Sequence, residues 1–82
     1  MMQVACEVVM DGPGPSEKVV RIKQADGAWE EVVAPSSSLQ EGYLEASDVL
    51  AEKGQDVLIE LPRESASGRW RLWVKRESVR VP

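Results

Sequence analysis

Arg69, Arg71, Trp73 and Lys75 recur at every second position near the carboxyl end of an 82-residue chain. In an extended strand, alternate side chains share one face, so this spacing sets an indole among three cations. Such a face can stack a ring while pairing with a carboxylate or a phosphate. The intervening Trp70, Leu72 and Val74 fall on the opposite face and are predicted to be core. Residues 67–82 hold two of the three tryptophans and five of the ten cations, and the four outward residues are the candidate binding site.

Other chemistry has little to draw on. The chain has no histidine and one cysteine, which removes general acid–base catalysis by imidazole and every Cys–His or Ser–His–Asp arrangement. Ser16 and Lys18 could form a Ser–Lys pair, but they flank a loop with nothing to desolvate the lysine. Glu60 and Glu64 are spaced like paired carboxylates, but spacing alone does not make them acid–base partners. The adjacent Glu30 and Glu31 could ligate a metal, but they read as a solvated strand face. No phosphate-binding glycine loop and no cysteine-based zinc spacing is present. The expectation is a non-enzyme with no catalytic residues, no metal site and no cofactor. Cys6, in step with Val4, Val8 and Met10, reads as a core thiol.

Charge is unevenly distributed along the chain. Residues 1–62 carry four cations against twelve acids, whereas residues 63–82 carry six cations against two acids. The formal net charge of −4 disfavours indiscriminate phosphate binding, while the basic end remains able to meet an anionic partner. No apolar run is long enough for a transmembrane helix, the amino terminus lacks a basic region before its apolar residues, and a lone cysteine agrees with a reducing compartment. These features predict a cytoplasmic protein with no membrane partner, forming a single domain over residues 1–82.

The elements that must position the basic strand are short and β-like. Residues 3–10 alternate as a half-buried strand with Val4, Cys6, Val8 and Met10 inward, ending at the Asp11–Ser16 loop. That loop's Gly-Pro-Gly-Pro lacks the spacing of a proline-rich ligand. Glu17–Gln24 and Ala28–Ala34 read as a hairpin closed at Asp26-Gly27, with a bulge near Glu30-Glu31 reconciling the second strand's parity. Pro35–Ser38 is a loop, Tyr43–Ala46 a short strand, and Ser47 could cap a two-turn helix running to Lys53 and closed by Gly54. Gln55–Leu61, Arg69–Lys75 and Val79–Val81 complete the strands, with a turn at Arg76–Ser78. No internal repeat is visible.

This succession, and above all Gly68-Arg-Trp-Arg-Leu-Trp-Val74 followed by Lys75-Arg-Glu-Ser-Val79, resembles the strand, single helical turn and closing strand of SH3-like proteins. The resemblance implies a mainly β fold: a small five- to six-stranded SH3-like barrel with at most one short helix, an OB-like barrel being the alternative. Peptide-binding SH3 domains carry an Ala-Leu-Tyr-Asp-Tyr stretch and a Pro-Ser-Asn-Tyr-Val element. Here the first is missing and Ser78 stands at the tyrosine of the second. The chain is also similar in size to the plasmid-borne, trimethoprim-insensitive dihydrofolate reductase, but it lacks that protein's Val-Gln-Ile-Tyr strand. Fold likeness does not assign function. The residues point to an interaction module that binds a protein partner or another copy of itself through Arg69, Arg71, Trp73 and Lys75. Binding of RNA or single-stranded DNA by the same strip is one alternative, and a small enzyme assembled as an oligomer is the other.

Overall fold

Short runs of Val, Ile and Leu at alternate positions, broken by Gly, Pro and Ser, favour antiparallel strands over helices. A computed structural model describes residues 2–82 and bears this out, with ten strands in three antiparallel sheets. The strands are β1 (Met2–Ala5), β2 (Glu7–Asp11), β3 (Glu17–Lys23), β4 (Trp29–Pro35), β5 (Leu39–Gln40), β6 (Tyr43–Ala46), β7 (Ala51–Lys53), β8 (Asp56–Glu60), β9 (Arg71–Lys75) and β10 (Val79–Arg80). A central sheet has the order β10-β1-β6-β5, and two meanders, β2-β3-β4 and β7-β8-β9, make up the other two sheets. Single 3-10 turns at Ser36–Ser38 and Arg76–Ser78 lead from β4 to β5 and from β9 to β10.

The core lies between the inner faces of these sheets. Val4 and Leu44 come from the central sheet, Val20, Ile22, Val32 and Ala34 from the first meander, and Val57, Ile59, Leu72 and Val74 from the second. Their burial follows the period-2 rule in β4, β8 and β9, where every second residue is buried.

The molecule is built twice over. In the central sheet Leu39 pairs with Leu44 and Gln40 with Tyr43, and forty positions apart Val79 pairs with Val4 and Arg80 with Gln3. Val4 and Leu44, themselves forty positions apart, face each other in the β1–β6 ladder, so the pseudo-twofold axis relating the halves passes through this pair. The Ser36 amide bonds to the Ser16 carbonyl, and the Arg76 amide likewise to that of Gln55. The β3–β4 hairpin closes with Gln24 N to Ala28 O and Gly27 N to Gln24 O. The β8–β9 connection repeats this pattern with Ser65 N to Arg69 O and Gly68 N to Ser65 O. The repeat missing from the sequence reading is therefore present in the hydrogen-bond register.

Several expectations need correction. The ladders form three separate sheets and no closed barrel. The strand–3-10–strand ending does occur at 71–80, with β10 pairing onto β1. The helix expected at 47–53 is absent. The Ser47 hydroxyl accepts from the Glu60 amide and donates to the Asp48 carbonyl, and β7 pairs with β8 across a turn at Gly54, because cross-strand hydrogen bonds replace those a two-turn helix would supply. The expected 3–10 strand breaks at Cys6, where the chain passes from the central sheet to the first meander. The bulge falls between Val8 and Met10 rather than at Glu30-Glu31. Val8 and Met10 consequently lie on an exposed edge strand, and Cys6 is only partly buried, with desolvation pushing its thiol pKa up.

Candidate functional site

β9 is held by β8 on one side, with Leu58 opposite Trp73, Glu60 opposite Arg71 and Asp56 opposite Lys75. On its other edge the Ala25 amide donates to the Trp73 carbonyl at 2.8 Å, so the Gln24–Ala28 turn docks against the strand. With Leu72 and Val74 fixed in the core, Arg71, Trp73 and Lys75 must project outward, and all three are exposed. Trp73 retains 38% of its surface, whereas a tryptophan with a purely structural role is usually better covered.

Arg69 lies outside β9, in the turn that precedes it, and its guanidinium donates to Gln24 Oε1 at 3.0 Å. Even so, Arg69, Arg71 and Trp73 line one cleft of about 430 Å³, together with Lys53, Asp56, Gln24 and Asp26. Lys75 belongs to the same strand face but borders two neighbouring hollows instead. The structure thus brings three of the four predicted residues together. Lys53, from the region read as a helix, was missed: only its pairing as the last residue of β7, beside Asp56, carries it to the cleft.

Ion pairs temper the charge of this face. Arg71 Nε lies 3.3 Å from Glu60 and Lys75 Nζ 3.0 Å from Asp56, both cross-strand contacts of modest strength in solvent. Neither Lys53 nor Arg69 forms an ion pair among the described residues; Arg69 donates to the neutral Gln24 and interacts at longer range with the Glu30 carboxylate. The cleft therefore offers an indole and two cations outside any ion pair, Lys53 and Arg69, an arrangement suited to a carboxylate beside an apolar or aromatic group.

Trp70, predicted to be core, is 51% exposed. It precedes β9, its carbonyl accepts from the Leu61 amide, and its indole N–H donates to Glu64 Oε2 at 3.1 Å. The β8–β9 ladder ends at Glu60 and Arg71, so strand parity no longer fixes the direction of Trp70, although Leu61, bonded to its carbonyl, is still core. Glu30, read as solvated, is buried: Ser67 donates to its Oε1 through both its hydroxyl, at 2.6 Å, and its amide. Those hydrogen bonds, the hydroxyl's foremost, lower the Glu30 pKa below the ordinary carboxylate value, against the opposing effect of burial. Among the described residues no three Cys, Asp or Glu side chains gather as a metal site, and no helix is long and apolar enough to cross a membrane.

No protein-family model, curated protein sequence or solved structure is matched by the chain.

Proposed function

We propose that the protein is a non-catalytic binding module that takes an acidic segment of a protein partner, or of a second copy of itself, in the cleft beside Trp73. The observation that carries this reading is the convergence of Arg69, Arg71, Trp73 and Lys53 on one cleft with Trp73 open to solvent. The pseudo-twofold repeat adds weight. The core positions match between the halves, Val32 with Leu72 and Ala34 with Val74. The outward positions differ: Glu31, Val33 and Pro35 of β4 correspond to Arg71, Trp73 and Lys75 of β9. The scaffold is common to the halves, and the Arg71, Trp73 and Lys75 face is particular to β9.

The test is titration of the isotopically labelled protein with a synthetic Asp/Glu-rich peptide, followed through the indole N–H signals of the three tryptophans. The Trp73 signal should shift first. Central Trp and Arg contacts are commonly worth about 2 kcal/mol, so Trp73→Ala or Arg71→Ala should weaken binding roughly thirtyfold while the rest of the spectrum stays folded. Binding that is indifferent to both substitutions would falsify the assignment. Light scattering of the free protein over a range of concentrations distinguishes a second copy from a foreign partner.

A further inference from the structure

The cleft at Trp73 continues beyond its own walls. Gln24 and Ala25 line it and also a second hollow of about 280 Å³ beside Lys75 and Glu77. This second hollow shares Lys23 and Ser78 with a third, of about 270 Å³, where Trp29 meets Cys6 and Glu7. Shared lining residues set the three hollows in a row, with a tryptophan lining each of the two outer ones.

We propose that this whole groove, from Trp73 past Lys75 and Lys23 to Trp29, binds a single extended acidic peptide segment; the inference rests on the reading of the Trp73 cleft given above. Charge complementarity identifies the occupant. Arg71 and Lys75 are already paired with Glu60 and Asp56, and Arg21, beside Trp29, is paired with Glu7. Lys23, Lys53 and Arg69 form no ion pair among the described residues, and all three line the groove, Lys53 and Arg69 at the Trp73 end and Lys23 toward Trp29. A ligand carboxylate can meet any of them without breaking an ion pair, although Arg69 also donates to Gln24 and Lys23 lies over the Trp29 ring.

An extended peptide fits better than a nucleic acid strand. The Trp29 ring is already occupied, with the Arg21 guanidinium 4.1 Å and the Lys23 ammonium 5.9 Å from its centroid, so cations already stack where a base would. Asp26, Asp56, Glu7 and Glu77 also line the groove and would oppose a phosphate at every nucleotide. A peptide can set carboxylates opposite the free cations and neutral side chains elsewhere. The molecule's longest dimension of 39 Å sets the upper bound on such a segment, about ten extended residues or roughly 33 Å.

Two fluorescent Asp/Glu-rich peptides, of about four and about ten residues (roughly 13 and 33 Å extended), test the proposal by anisotropy on the full chain. The longer should bind at least tenfold more tightly, since its second contact is intramolecular. Lys23→Glu should weaken the longer peptide by roughly five- to tenfold and leave the shorter unchanged, while Trp73→Ala weakens both. Equal affinities with no effect of Lys23→Glu would overturn the extended groove and leave the Trp73 cleft standing. Failure of both peptides to bind, or indifference to Trp73→Ala, would overturn both readings. Displacement of the longer peptide by a tighter-binding single-stranded oligonucleotide of matched length would overturn the peptide assignment.

Discussion

Glu30 is a carboxylate held against the core layer by a serine hydroxyl and an amide, and that arrangement sets one part of the response to acid. Its pKa lies below the ordinary value because Ser67 donates to the charged form. A depressed folded-state pKa means that the unfolded chain binds a proton first as pH falls. The stabilisation is therefore complete above the ordinary glutamate pKa and is lost as pH drops through the folded one. Denaturant melts should show stability constant near neutrality and declining below the ordinary glutamate value of 4.5, with Glu30→Gln flattening that part of the decline. Ser67→Ala should cost about 1.5 kcal/mol at pH 7, as for a lost hydrogen bond to a charged group. A melt unchanged by Ser67→Ala would remove this account. The residue was invisible in the sequence because its partner stands 37 positions away. Trp73 was legible because the information lay within its own strand, where parity with Leu72 and Val74 settles its direction.

Turns carried the clearest local signals among the elements, and the two hairpin loops show why. Asp26 accepts from the Ala28 amide through its side chain, and Gly27 takes a φ of +92° with open space around it. Gly68 closes the corresponding loop at +86°. A Cβ at either position meets no neighbour, so the penalty for substitution is the backbone's own. Gly27→Ala should cost about 1 kcal/mol, seen as a lower denaturation midpoint with an unchanged slope, and Gly68→Ala should match it. A neutral result at both would show that these turns do not need glycine. Region 47–53 was misread because Ser47, the acids and Gly54 suit a helix cap and stop equally well. What decides its conformation is β8, whose Leu58 carbonyl and Glu60 backbone take the hydrogen bonds of Leu50 and Ser47. A short segment between two signals follows its neighbour, and that neighbour is assigned only once the sheet forms.

For the molecule as a whole, the division into an acidic first part and a basic end does not survive folding. Arg63 pairs with Glu17, Arg71 with Glu60, Lys75 with Asp56 and Arg76 with Glu52, so four cations of the basic end meet acids from residues 1–62. Antiparallel pairing of β8 with β9 brings two of these four together, Arg71 with Glu60 and Lys75 with Asp56, and the register that does so is the register of the repeat. That repeat was unreadable because its halves share burial rather than identity. Val4 corresponds to Leu44, and Val20 to Ile59 through a one-residue offset, leaving Ala25-Asp-Gly27 against Ala66-Ser-Gly68 as the plainest trace. The cancellation limits how the protein can bind a polyanion. Among the described residues of the three hollows, the cations outside any ion pair are Lys23, Lys53 and Arg69, so an oligonucleotide held there would release about three counterions. A plot of log K against log salt should then have a slope of about −2, measured by anisotropy with single-stranded DNA. A slope near −4 or steeper would mean that the cross-strand ion pairs open to engage the ligand. In that case Glu60 and Asp56 would serve as displaceable partners of the site, and Glu60→Gln should raise the affinity for the oligonucleotide. If instead the pairs stay closed in the wild-type complex, that substitution frees Arg71 and should steepen the slope by about 0.7.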